Sequence, residues 1–136
     1  MHIAVQKETC PGETRVAMVP ALVSALVKAG HVISIERHAG AAAGYADDQY
    51  RQQGARIATD RAGLIQGADA LFMVRGPGCG LSTFCQAIDD FKQGQLLIGF
   101  FNRVMALDVM GRLARKELVV FAMELIPRIS RAQSMD

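Results

Sequence analysis

The 136-residue sequence predicts an α/β domain with a doubly wound, mostly parallel five-stranded sheet between layers of helix. Three observations carry this. Short apolar runs rich in branched residues recur along the chain with helical patterns between them, the alternation that builds a parallel sheet. The run Gln95–Phe101 is apolar on both of its alternating faces, as a strand covered by helices on both sides must be. Strand, helix and strand also fit within about the first 35 residues, the span of one βαβ unit.

The elements follow in order. His2–Gln6 is a short strand that runs into Lys7 and Glu8, then a CPGE turn, Thr14 and Arg15. Pro20 suits the first position of a helix whose Leu22, Val23, Leu26 and Val27 recur at helical spacing, and Gly30 stops it. Val32, Ile33 and Ile35 mark a second strand, His31–Glu36. Ala39–Tyr45 is small and flexible, and Asp47 and Asp48 open a short helix that stops at Gly54. Ala55–Ala58 is a marginal strand, and Thr59 is placed to cap a helix running to Gly67. Ala70–Val74 is a strand that ends in Arg75 and the run GPGCG. Phe84–Phe91 has a weak helical pattern, and Val104–Lys116 a clear one with Val104, Leu107, Val109, Met110 and Leu113 inward. The last strand, Leu118–Met123, should end before Pro127, which disfavours helix at Ile126 and has no backbone donor. Five strands with helices between them give a three-layer αβα sandwich, Rossmann-like or flavodoxin-like.

Composition narrows the class. The chain is 51% hydrophobic and 21% charged with a net charge of +2, too little to argue for nucleic acid. No apolar run approaches the eighteen residues of a membrane span, and Gln6, Lys7 and Glu8 interrupt any signal-peptide pattern at once. Cys10, Cys79 and Cys85 are odd in number with no Cys-x-x-Cys pair, so free thiols in a reducing cytosol are expected. His2, His31 and His38 show no metal-ligand spacing, and no metal is expected. Lys28, Arg37, Arg51 and Arg56 read as solvated exterior, and the seven methionines as core filling.

The candidate sites lie past strand ends, where open α/β sheets bind ligands. After Pro127 come Arg128, Ser130, Arg131, Gln133, Ser134 and Asp136, which composition alone would leave as a solvated loop. GPGCG fails as a dinucleotide fingerprint, because Leu81 or Thr83 stands where the third glycine belongs, and a tight turn is the better reading.

The wording of the two ends is more specific. FAMELIPRISRAQSMD resembles the signature of the alpha subunit of proton-translocating nicotinamide nucleotide transhydrogenase, with Arg128, Gln133 and Asp136 on its Arg-x-x-x-x-Gln-x-x-Asp positions. The opening MHIAVQKETCPGETRVAMVP is similar to that family's start, and alanine dehydrogenase shares the amino-terminal fold. The resemblance covers the whole chain and implies the amino-terminal lobe, residues 1–136, of a two-lobed NAD(H)-binding unit whose Rossmann lobe is absent from this sequence. It implies hydride transfer between NADH and NADP⁺ coupled to proton passage, with NADP(H) bound by a separate component. The implied partners are the rest of the alpha subunit, the membrane-spanning component and a second copy, and the implied location is cytoplasmic, at the inner face of the membrane. Arg128 would contact the nucleotide, Gln133 would hold the two nicotinamides in register, Asp136 would fix the loop or accept from the amide, and Ser134 would shape the turn.

Two arginines are substrate-binding candidates by the same resemblance. In alanine dehydrogenases an arginine in the context of Arg15 holds a carboxylate. An ion pair with Glu8 or Glu13 is the structural alternative, and both readings stay open here. Those enzymes also place a lysine and a histidine where this chain has Arg75 and Asn102, neither of which exchanges a proton near neutral pH. That disfavours amino-acid dehydrogenase chemistry and leaves hydride transfer between nucleotides, or a free-standing domain that binds a partner or nothing.

Overall fold

The computed structural model describes residues 1–75, 87–101 and 107–127, with the backbone alone for 107–110. Six parallel strands form one sheet in the order β3-β2-β1-β4-β5-β6. They are β1 (His2–Val5), β2 (Val32–Glu36), β3 (Arg56–Ala58), β4 (Ala70–Arg75), β5 (Leu96–Phe100) and β6 (Val119–Ala122). The helices are α1 (Pro20–Lys28), α2 (Asp47–Gln52), α3 (Arg61–Gly67) and α4 (Leu107–Arg115), with residues 87–90 also helical.

Alternation along the strands builds the two faces. Ile3, Val5, Ile33, Ile35 and Ala70 face one side and pack with Met18, Val23 and Tyr50. Ala4, Leu71, Met73, Leu97 and Phe101 face the other and pack with Leu64, Ile65, Ile88, Phe91 and Leu113. That is the doubly wound, three-layer αβα arrangement, with apolar surface buried on both sides of a parallel sheet.

Among the described residues the count is six strands where five were expected. The marginal Ala55–Ala58 run is a true edge strand, held in place by pairing Ser34, Ile35 and Glu36 of β2 with Arg56, Ile57 and Ala58. Its three residues are too few to show a period of two. Asp60, not Thr59, caps α3, accepting from the Ala62 and Gly63 amides at 3.0 and 3.1 Å. Leu22 lies on the outer side of α1 and is exposed, because Val23, Leu26 and Val27 already fill the narrow inward stripe. β6 ends at Ala122, before Pro127 is reached, in a 3-10 turn at Met123–Leu125. Glu124 in that turn accepts from the Phe101 amide at 2.9 Å and ties it to the end of β5.

The topology also fixes where a ligand can sit. Strand order reverses between β1 and β4, and α1 and the helical residues 87–90 that follow them pack on opposite faces, the switch point at whose carboxyl edge an open α/β sheet offers a ligand crevice. The residues after β1 and at the end of β4 line that crevice.

Candidate functional site

The chain leaves β1 through Gln6, Lys7 and Glu8 and turns back at CPGE. The Glu13 amide bonds the Cys10 carbonyl at 3.0 Å, and Gly12 supplies the left-handed conformation at φ +78°. This brings Glu13 inward, its side chain only 5% exposed, while Arg15 and Arg75 stay 60% and 55% exposed. Arg15 grips Glu13 as a fork: Nε donates to Oε1 and Nη2 to Oε2, each at 2.7 Å. Arg75, arriving from the end of β4, donates Nε to the same Oε2 at 3.0 Å.

One carboxylate therefore holds two guanidiniums. The Arg15 fork, with Arg75 beside it, pulls the Glu13 carboxyl down to about 2, and Glu13 in turn raises Arg15 above its usual value. The pair uses only part of what the arginines offer. Of five N–H groups on a guanidinium, Arg15 spends two and Arg75 one among the described residues, so most can face an incoming oxyanion. Glu8 stands behind them, half-buried. Its two oxygens accept from the Val74 and Arg75 amides at 2.6 and 3.3 Å, and burial raises its carboxyl above the usual range.

The arrangement answers some of the questions that the sequence left open. Arg15 and Arg75, far apart in the chain, meet on one residue, and the ion pair of Arg15 is with Glu13, whereas Glu8 turns to the backbone of β4. The sequence carried Glu8 and Glu13 only as structural partners. Their signal was a pair of acids following a strand, too common to single out. Asn102, the GPGCG run, Arg128, Gln133, Ser134 and Asp136 lie outside the described residues.

One expectation is corrected. Cys10 is disulfide-bonded and so is not a free thiol. It follows β1, and the other two cysteines follow β4 in the sequence; β1 and β4 are neighbours in the sheet, a proximity that cysteine spacing does not reveal. Among the described residues no three His, Cys, Asp or Glu gather as metal ligands, and no helix is long and apolar enough to cross a membrane.

A second hollow opens at the ends of β2 and β3, about 710 Å³, lined by Arg37, His38, Tyr45, Asp47, Arg51 and Thr59. Its charges are largely paired within it. Asp47 holds the His38 amide at 2.9 Å in a left-handed conformation of φ +61°, and Asp48 pairs with Arg51. The crevice between β1 and β4 differs in that two arginines converge there on one inward carboxylate.

A model of the family described as alanine dehydrogenase/PNT, N-terminal domain, matches residues 4–136. The chain belongs to this family. NAD(P) transhydrogenase subunit alpha of Cereibacter sphaeroides is 37% identical over the whole chain, which spans 25% of that protein. Alanine dehydrogenase 1 of Staphylococcus aureus is 29% identical over 98% of the chain, and 34% of that enzyme is covered. In structure, the transhydrogenase of Sinorhizobium meliloti superimposes with a TM-score of 0.87 at 33% identity, over all of this chain and 39% of the other. The chain thus spans between 25% and 39% of these three proteins. The likeness expected from its two ends extends over its full length, and alanine dehydrogenase is the more distant relative.

Proposed function

We propose that this chain is the amino-terminal domain of the NAD(H)-binding component of a proton-translocating NAD(P) transhydrogenase. The observation that carries the reading is the whole-chain likeness to a transhydrogenase alpha subunit, stronger than the likeness to alanine dehydrogenase. Arg75 agrees with it. Where amino-acid dehydrogenases need a group that exchanges protons, this chain holds a permanently charged guanidinium locked to Glu13.

The crevice fits one portion of an anionic dinucleotide. Arg15 and Arg75 present spare N–H donors at the carboxyl edge of the sheet, beside the strand-order reversal, and these suit a phosphate or carboxamide oxygen. NADH, when bound, supplies the hydride. The protein's own work is to bind and orient, since hydride transfer between nucleotides asks for positioning rather than proton exchange. In this reading Arg128, Gln133, Ser134 and Asp136 hold the nicotinamide end and Gln133 keeps donor and acceptor in register. NADP(H) belongs to a separate component, and the domain works with the rest of its subunit, a membrane-spanning component and a second copy, at the inner face of the membrane. The isolated domain then neither turns over NADH nor binds it tightly.

The test uses the assembled enzyme. Gln133→Asn keeps the amide and shortens its arm by one methylene. It should slow single-turnover hydride transfer at least about tenfold, a barrier change of about 1.4 kcal/mol. NADH affinity should change far less, since one hydrogen bond is worth about 0.5–1.5 kcal/mol. Transfer at the wild-type rate removes Gln133 from the mechanism.

A further inference from the structure

Arg75 meets Glu13 at the end of β4, where the strand departs from regular pairing. The β1–β4 ladder stops at Val5↔Phe72, so the β4 amides beyond it face no further β1 backbone in that register. On the other side the register slips: Phe72 pairs with Ile98 but Arg75 with Phe100, so β4 takes three steps where β5 takes two. Such an extra residue turns a strand end and re-aims the side chain that follows. Gly99 of β5 makes room for it, since a Cβ there would come within 2.5 Å of the Met73 carbonyl oxygen. Glu8, three residues past the end of β1, supplies the acceptors. Oε1 takes the Val74 amide at 2.6 Å and Oε2 the Arg75 amide at 3.3 Å.

We propose that Glu8 is a positioning residue of the Arg15–Arg75 site: by capping the last two amides of β4 it holds the displaced strand end and so sets the Arg75 guanidinium against Glu13. The proposal rests on reading that site as a binder of oxyanions, carboxylate or phosphate. Glu8 reaches the ligand only through Arg75. A carboxylate is required because two amide donors need two acceptor oxygens, and a glutamine would turn its NH₂ against one of them, donor to donor. The Val74 and Arg75 amides favour the ionised Glu8 carboxyl and work against the burial that raises it.

Two measurements on the 136-residue chain test this. The first follows the Arg75 and Arg15 Nε–H signals by ¹⁵N NMR. In Glu8→Gln, hydrogen exchange at Arg75 Nε–H should accelerate at least fivefold while Arg15 Nε–H, bonded to Glu13 from the turn, keeps its protection. An Arg75 signal unchanged from wild type overturns the proposal. If Glu8→Gln does not fold, Glu8→Asp, which keeps the charge one methylene short of the amides, is read instead and should move the same way. The second titrates inorganic phosphate and pyruvate into wild type, Glu8→Gln, Arg75→Ala and the double variant. Glu8→Gln should weaken the bound anion at least threefold alone and not at all on top of Arg75→Ala. Equal weakening in both backgrounds means Glu8 does not act through Arg75, and the proposal fails. If Arg75 Nε–H loses protection but Arg75→Ala leaves affinity for both anions unchanged, the positioning role stands and the oxyanion reading of the site falls.

Discussion

Both edges of the sheet carry polar groups, and they differ in what those groups have left over. At the amino edge, His2 engages both ring nitrogens, Nδ1 with the Gly67 carbonyl at 2.7 Å and Nε2 with Ser34 Oγ at 2.8 Å. A nitrogen facing a carbonyl must carry the proton, so Nδ1 donates, and Nε2 and the serine hydroxyl satisfy each other. The His2 amide donates to Asp69 at 2.7 Å, and buried Gln95 spends its amide nitrogen on the Ile65 and Ala68 carbonyls. Every one of these groups is matched to a protein partner. At the carboxyl edge Arg15 and Arg75 crowd one carboxylate and keep most of their donors unspent among the described residues, while β4 is bent from its register to bring them together. Surplus capacity, not polarity, separates a binding edge from a structural one.

The largest effect should come from the bend itself. Gly99→Ala drives a Cβ toward the Met73 carbonyl, and a backbone obstacle cannot swing away as a side chain would. Overpacking of this kind costs about 1–3 kcal/mol, and the upper end is expected here. Urea unfolding measures it. The Arg75 Nε–H signal should lose protection in the same variant, and a stable Gly99→Ala protein with that signal intact would separate the bend from the site.

His2→Ala tests the other edge. It removes two side-chain hydrogen bonds and leaves the buried Ser34 hydroxyl without its partner, a cost of about 1–2 kcal/mol. Anion or nucleotide affinity should not change. Arg15→Ala should do the reverse: a loss of stability of no more than about 1 kcal/mol, because the arginine is exposed and Arg75 still holds the inward Glu13, and a loss of anion affinity of roughly tenfold. If His2→Ala weakens ligand binding as much as Arg15→Ala does, the distinction between the edges is wrong.

The contrast also shows what a sequence can carry. Element type was legible because the apolar runs keep their periods, as in β4 and β5, where Ala70, Leu71 and Leu97 are fully buried. The layers followed, since strands apolar on both faces demand helices on both. Strand β3 was weak because three residues show no period, and only pairing with β2 makes it a strand. Arg15 and Arg75 could be picked out by resemblance to alanine dehydrogenases. Their meeting on Glu13 could not, because it depends on a register slip between β4 and β5 and on Glu8 reaching amides sixty-six and sixty-seven positions away. Such long-range geometry leaves no local pattern. The disulfide state of Cys10 was hidden for the same reason. Thiol titration of unfolded, unreduced chain should find one free cysteine rather than three.

The smallest effect discriminates by its pH dependence. Glu13 is held at about 2 against an ordinary value of 4.5, chiefly by the Arg15 fork. A depressed folded value means the unfolded chain binds the proton more readily, so the ionised carboxylate stabilises the fold above 4.5. That contribution falls as pH drops from 4.5 through about 2, and below that Glu13 is neutral in both states. Glu8 has the opposite sign. Its raised value disfavours folding once pH exceeds 4.5. Acidification should therefore erode the advantage of wild type over Glu13→Gln and leave the two equally stable near pH 2, while Glu8→Gln shows no such loss. Denaturant unfolding of the three proteins from about pH 7 down to about pH 2 reads this directly. A gap between wild type and Glu13→Gln that stays constant over that whole range would mean that charge is not what joins Glu13 to its two arginines, and the carboxyl edge would then be as self-contained as the amino edge.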